Sequence, residues 1–250
     1  MKIRYNIKHA IISVLFILFI IMVFFSNKTL IILFRDKIWA HKVNSIEKLN
    51  EASNILAGVE LDVMFYEDKN YFDVNHPPDR SINLTLSEYF ESQLSNINCK
   101  YWIDYKNLNI GNKTQSSNSL DSIINLNKIN KNKVIVESSN PQLLETFVKK
   151  GFITSYYLPI NLYKLNKEEL ETAIEKIKEN ITSFKHKYIS ADYKNYPILK
   201  KHFPDKKKNF WFITYSSMNK IKARILFYKI LLDKNTDILL IPFRYKNDNN

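Results

Sequence analysis

Between residues 38 and 108 the chain places His41 in "IWAHKVNS", Glu60 and Asp62 in "GVELDVMF", His76 in "NHPP", and Asp104 and Lys106 in "KYWIDYKNL". Three of these words are rich in β-branched and aromatic residues and read as strands. Side chains two apart in a strand point the same way, so Glu60 pairs with Asp62 in direction and Asp104 with Lys106. Acidic groups on a strand facing a core are costly unless paired or bound to a cation. Three carboxylates converging at the same ends of neighbouring strands call for a hard divalent ion with oxygen ligands, Mg²⁺ or Ca²⁺. His41 ends its strand just before a helix start at Ser45, and His76 lies in the loop after Asp62. Imidazole titrates near neutrality and suits proton transfer. Singly, each feature has an ordinary reading: a solvated Glu-x-Asp, an Asp104–Lys106 ion pair, a packing histidine. Their order at successive strand ends is what suggests a site.

Eight β-rich runs position these residues, at 37–43, 58–65, 100–108, 133–139, 152–159, 187–193, 209–216 and 237–244. Helical signals lie between most of them. Ser45 caps one helix, and Thr85 with Glu88 forms a capping box for the next. Asn140-Pro141 opens a helix that Gly151 closes. Asn166 with Glu169 caps another, and "SSMNKIKARILFYKILLDKN" is the last long one. Such alternation predicts a parallel sheet, and eight repeats predict a closed (β/α)8 TIM barrel, with a flavodoxin-like open sheet as the alternative. Residues 66–80 read as a hairpin or active-site loop, and the polar 109–122 as a mobile segment. In a barrel, chemistry sits at the C-terminal strand ends. By that rule Glu137 and Asn140 at the fourth strand, and Trp211 and Tyr215 on the seventh, are further candidates for lining a pocket. His9, His186 and His202 read as structural or surface residues.

With 250 residues, 45% hydrophobic and 14% aromatic, the chain can bury a large core, which excludes global disorder. It has three glycines and neither GxGxxG nor GxxxxGK[ST], which removes Rossmann and P-loop readings. The net charge of +12 would suit a polyanion or a membrane surface, but the lysines are scattered along the chain and no RNA or zinc-finger motif is present, so no nucleic-acid partner is expected. Cys99 is the single cysteine, so the chain has no intrachain disulfide and no cysteine-rich zinc site. Lys2, Arg4 and Lys8 precede a charge-free run at 10–26, close to the shortest helix that spans a bilayer. No A-x-A cleavage site follows, so an uncleaved N-terminal transmembrane helix is expected. The basic flank puts the N-terminus in the cytoplasm and the domain outside. Residues 1–35 then form the basic N-terminus, anchor and connector, and 36–250 the barrel, with "TLIILF" (29–34) too short to span.

In order and spacing, His41, Glu60-x-Asp62, His76 and Asp104-x-Lys106 resemble the active site of the glycerophosphodiester phosphodiesterase-like barrels. The phospholipase D toxins called sphingomyelinase D belong to that superfamily. The words "WAHKVNS", "VELDV", "HPP" and "IDYKNL" are similar to its menorin-type branch. The likeness covers residues 38–108; beyond them only "VESSNP" and the strand–helix rhythm continue it. Lys42-Val43 stands where the superfamily commonly has Arg-Gly, and Asp104 follows the toxin branch where bacterial members generally use Glu. The resemblance implies one Mg²⁺ or Ca²⁺ on Glu60, Asp62 and Asp104, with Lys106 on the substrate phosphate. His41 and His76 would share the roles of base or nucleophile and acid, in either assignment. The implied reaction is hydrolysis of a phosphodiester, in a glycerophosphodiester or a phospholipid head group, or cyclisation where a neighbouring hydroxyl attacks. Two alternatives stay open: a catalytically silent, membrane-tethered barrel that binds or scaffolds, and a metal-dependent barrel hydrolase with a non-phosphate substrate.

Overall fold

A computed structural model describes residues 2–92, 98–159, 161–212 and 221–244. Helices α1 (Lys2–Phe25) and α2 (Asn27–Leu33) lead into β1 (Ile38–His41). Next come α3 (Ile46–Ile55), β2 (Gly58–Tyr66), β3 (Tyr71–Val74), α4 (Leu86–Glu91), β4 (Lys100–Tyr105) and α5 (Lys113–Leu126). They are followed by β5 (Val134–Ser138), α6 (Glu145–Lys149), β6 (Ile153–Tyr157), α7 (Lys167–Ser183), β7 (Tyr188–Asp192), α8 (Tyr196–His202), β8 (Lys207–Trp211), α9 (Ile221–Leu232) and β9 (Thr236–Pro242).

β1 pairs in parallel with both β2 and β9, and the neighbours between them are parallel too, so the sheet closes on itself. The expected (β/α)8 barrel is the fold, and the open-sheet alternative is excluded. β3 is the exception: it runs antiparallel to β2 as the hairpin expected in 66–80. Helices cover the outside and side chains fill the inside, so strands such as β2 are buried from Gly58 to Val63, as parallel strands with two covered faces require. A Cβ at Gly58 would fall 2.4 Å from the Trp39 ring; only glycine lets that indole lie across the strand.

The expected caps form at Ser45, at Thr85 with Glu88, and at Asn166 with Glu169. Gly151, at φ +85°, ends the stretch that begins at Pro141, although that stretch is a 3-10 turn followed by the short α6. The segment 109–122 departs from expectation. Instead of a mobile loop it contains most of α5, with Ser116, Ser117, Leu120 and Ile124 buried. The serines read as solvent-loving, but their hydroxyls bond back to the carbonyls of Lys113 (3.4 Å) and Thr114 (3.0 Å), which lets a slim helix face lie against the barrel. Buried Asn112 holds the preceding loop, accepting from the Asn109 amide at 2.9 Å and donating to the Asn107 carbonyl at 2.9 Å. The seventh parallel strand also starts earlier than its apolar run, at Lys207, because Lys208 is buried with its ammonium on the carbonyls of Pro204 (3.2 Å) and Lys206 (2.6 Å).

Among the described residues no helix is long and apolar enough to cross a membrane, so the spanning segment expected over 10–26 has no support at this level. All of the run but Ser26 lies in the 24-residue α1, where Ile11, Leu15, Phe19 and Met22 are each more than half exposed. α1 meets the barrel at its end: Arg224 of α9 donates to the Phe24 carbonyl at 2.9 Å and to Asn27 Oδ1 at 2.7 Å.

Candidate active site

Parallel register assembles the site. Ala40 lies opposite Val59, which sets His41 beside Glu60. Asp62 lies opposite Asp104, and Asp104 opposite Glu137, so three acids stand in one row across β2, β4 and β5. His41, Glu60, Asp62, His76, Asp104 and Lys106 all line one cavity at the C-terminal strand ends, with Glu137, Tyr157 and Trp211 on its wall.

Glu60, Asp62 and Asp104 each offer an oxygen, all within 4.8 Å of one another. Lys106 Nζ lies 2.7 Å from Asp62 Oδ1 and also donates to the Asp104 carboxylate. The ordinary ion pair weighed from sequence is therefore present, but it is shared with the row of acids. Lys42 takes a left-handed turn (φ +56°), and its amide donates to Glu60 Oε2 at 2.7 Å. Asn44 grips Asp62 twice: Nδ2 donates to Oδ2 at 2.8 Å, and the Asp62 amide donates to Asn44 Oδ1 at 2.9 Å. The Asn75 amide donates to the Asp62 carbonyl at 3.0 Å, which holds the His76 loop over the site.

His41 Nδ1 lies 3.1 Å from the Phe212 carbonyl. A carbonyl only accepts, so Nδ1 carries the proton and Nε2 presents a lone pair, 3.6 Å from Glu60 Oε2. Burial lowers the His41 pKa to about 4, against the pull of Asp62, so the ring is neutral at pH 7. Burial, with Asp62 and Asp104 beside it, holds the Glu60 carboxyl well above the usual range. Burial raises Asp104 as well, although Lys106 opposes it. Glu137 is pushed up to about 8, chiefly by burial and then by Asp104. Burial works against the Lys106 ammonium, but Asp104 and Asp62 keep its pKa above the ordinary lysine value. A largely buried all-oxygen donor set in mutual repulsion, with Lys106 as the lysine bonded to it, fits a hard divalent cation.

Of the four pocket candidates, Glu137 and Trp211 line the cavity. Glu137 is buried and accepts from Ser190 Oγ; Trp211 stacks on Tyr157 with centroids 5.1 Å apart and planes at 12°. Asn140 is outside the cavity. Its side chain donates to the Leu108 carbonyl at 3.2 Å and its amide to Ser138 Oγ at 3.3 Å, so it braces a loop. Tyr215 lies outside the described residues. Sequence reasoning missed Asn44, Tyr157 and Ser190. Tyr157 ends β6, where the strand-end rule points, and Asn44 follows His41 by three residues in the same word. Because Asn44 orients a proposed ligand through two hydrogen bonds, Asn44→Ala is expected to weaken Mg²⁺ binding about 10–100-fold with little loss of fold. Isothermal titration checks this, and unchanged affinity would leave Asn44 a mere spacer.

No protein-family model matches the chain, and none of the curated proteins does. Solved structures do match. A glycerophosphodiester phosphodiesterase from Parabacteroides distasonis aligns with TM-score 0.57 at 17% identity, over 83% of this chain and 93% of that one. An Oleispira antarctica phosphodiesterase, in complex with the product sn-glycerol-3-phosphate, aligns with TM-score 0.53 at 12% identity, over 81% and 92%. A GH18 chitinase from Pseudoalteromonas aurantia aligns with TM-score 0.51 at 11% identity, over 83% and 94%. The likeness to the menorin-type branch and to sphingomyelinase D rests on the sequence words alone. At these identities the match is one of architecture: the chain has the (β/α)8 barrel fold found in glycerophosphodiester phosphodiesterases.

Proposed function

We propose that this protein is a metal-dependent phosphodiesterase acting on glycerophosphodiesters or phospholipid head groups. One observation carries the reading: the carboxylates of Glu60, Asp62 and Asp104, with Lys106 and two histidines, meet from separate strands and loops around a single cavity. A divalent cation on Glu60, Asp62 and Asp104 would polarise a phosphoryl oxygen and offset charge developing there. Lys106 adds a second positive contact to the phosphate. His41, neutral with Nε2 unprotonated, is the base or nucleophile, and His76, from the loop above, protonates the leaving oxygen. The Tyr157–Trp211 stack forms an aromatic wall for the group beyond the phosphate. Where the substrate carries a neighbouring hydroxyl, its intramolecular attack gives a cyclic phosphate.

The barrels named above as phosphodiesterases support the reaction class, and the glycerol-3-phosphate product in one of them supports a glycerol-based diester. A silent scaffold is less favoured, since an unused row of buried carboxylates destabilises the fold for nothing. We further propose that residues 1–35 anchor the chain through 10–26, with the N-terminus cytoplasmic and the barrel of 36–250 outside; the charge-free run and the exposed apolar side chains of α1 support this. An alkaline wash that strips the protein from membranes would refute the anchor. For the reaction, the full chain in mild detergent is screened against glycerophosphodiesters, lysophospholipids and sphingomyelin with Mg²⁺ or Ca²⁺. EDTA-sensitive turnover of at least one class is expected; no turnover with either ion sinks the proposal.

A further inference from the structure

Six of the lysines that look scattered in sequence are gathered in space. Lys37, Lys100, Lys133, Lys187, Lys207 and Lys234 stand at or just before strand starts. All strands of the closed barrel are parallel, so every such lysine falls at one end, opposite the catalytic mouth. Four of them, Lys37, Lys100, Lys133 and Lys187, line a second cavity there, over Trp39 and Tyr188. Asp36 and Asp237 are the acids in that cavity, and Asp237 is already paired with Lys207 at 2.7 Å. The mouth instead collects Glu60, Asp62, Asp104 and Glu137 against Lys42 and Lys106. Acids thus outnumber lysines in the mouth cavity and lysines outnumber acids in the floor cavity.

Apolar surface accompanies the basic end. Lys37 Nζ bonds the carbonyls of Leu231 and Asp233, both at 3.0 Å, so the connector between α2 and β1 enters the barrel there, beside the end of α9. Ile32 and Leu33, closing α2, are 77% and 64% exposed, and Leu232, closing α9, is 70% exposed. Leu126, closing α5, is 72% exposed at the same end. Lysines interleaved with exposed aliphatic side chains suit an anionic phospholipid surface, where head-group phosphates meet the ammoniums and the aliphatics enter the interface. A soluble polyanion offers no partner to the apolar part.

We infer that the floor of the barrel is a docking surface for anionic phospholipid, holding the catalytic mouth towards water. Its consequence for the site rests on the phosphodiesterase reading: the diester is a water-soluble one, a glycerophosphodiester rather than a lipid of the membrane the floor rests on.

The test uses the full chain reconstituted into vesicles of phosphatidylcholine alone or mixed with phosphatidylglycerol, each carrying spin-labelled lipid. A fluorophore is placed on Asn132→Cys, which lines the floor cavity, or on Ile110→Cys, 77% exposed after β4 on the mouth side. The native Cys99 is buried, and burial pushes its thiol up to about 12, so it competes poorly for the label. The floor label should be quenched strongly, and more in phosphatidylglycerol vesicles than in phosphatidylcholine, with the mouth label quenched little. Each lysine near an anionic surface is worth about 1 kcal/mol, roughly fivefold. The combined Lys100→Gln, Lys133→Gln, Lys187→Gln protein should therefore lose about two decades of this preference while its turnover of a soluble diester is unchanged. Quenching of the mouth label instead of the floor label overturns the inference. So does a floor response indifferent to phosphatidylglycerol, or one found only with added soluble polyphosphate. If the floor label behaves as expected but wild type hydrolyses no diester, the docking surface stands and the phosphodiesterase reading falls.

Discussion

With Mg²⁺ or Ca²⁺ supplied, His41→Ala is expected to lose about 10²–10⁴ of phosphodiester turnover while keeping its fold and metal affinity. The size follows from position. The Phe212 carbonyl fixes the proton on Nδ1 and turns the Nε2 lone pair into the cavity beside Glu60. No carboxylate depends on the imidazole for its orientation, since Lys42 and Asn44 hold Glu60 and Asp62. His76→Ala should fall by a similar factor through loss of the acid. His202→Ala, half-exposed on α8 and remote from the cavity, is the control at near-normal rate. The pH profile adds a second reading. A base must be unprotonated, and a His41 pKa of about 4 keeps it so well below the ordinary histidine range. His41 should then not limit the acid side of the profile. That side should instead follow loss of the cation as the raised Glu60 and Asp104 carboxyls take up protons, and so move to lower pH as Mg²⁺ is increased. If His41→Ala turns over substrate like wild type, or fails to bind Mg²⁺ because it unfolds, the residue is a packing group.

Five of the site residues were legible in sequence because they sit on or at the ends of strands, where the two-residue period of Glu60-x-Asp62 and Asp104-x-Lys106 fixes direction without any tertiary knowledge. His76 was legible because it lies in the segment that follows the Glu60-x-Asp62 strand. The eight strands were legible for the same reason: alternation and turn residues are local. What escaped depended on pairing between distant segments. Asn44 gains its role only when β1 lies beside β2, and Ser190 only when β6 brings β7 within reach of Glu137 on β5. The helix α5 was hidden because serines satisfied by their own helix look the same in sequence as serines satisfied by water. Asn140, placed by the strand-end rule at the mouth, was diverted by a backbone carbonyl of the neighbouring loop. The lysines misled most, since order along a chain says nothing about which end of a parallel barrel collects them.

Stripped of divalent ions, the protein is expected to lose stability as pH rises from 6.5 to 8, and to regain it on adding Mg²⁺ or Ca²⁺. The sign comes from the buried acids. Glu60 and Glu137 have folded-state pKa values raised above their unfolded ones, Glu137 to about 8. The folded state therefore binds more protons than the unfolded state in this window, and its stability falls as pH climbs. Below 6.5 the trend is masked, because His41 and His186, both lowered to about 4, contribute with the opposite sign. Above 8 it is masked again by Lys208, whose pKa is lowered to about 8 by burial. A cation competes with protons for the same oxygens, so its stabilisation must grow across the window. At 100 times Kd it amounts to about 2.7 kcal/mol, or roughly 5–10 °C in Tm for a domain of this size. Asp62→Asn should abolish that shift, and Glu137→Gln should flatten the metal-free slope while retaining it. Thermal melts with EDTA or Mg²⁺ at pH 6.5 and 8 decide the matter. A shift of equal size at both values, or one that survives Asp62→Asn, would mean that the ion binds somewhere other than this row of carboxylates.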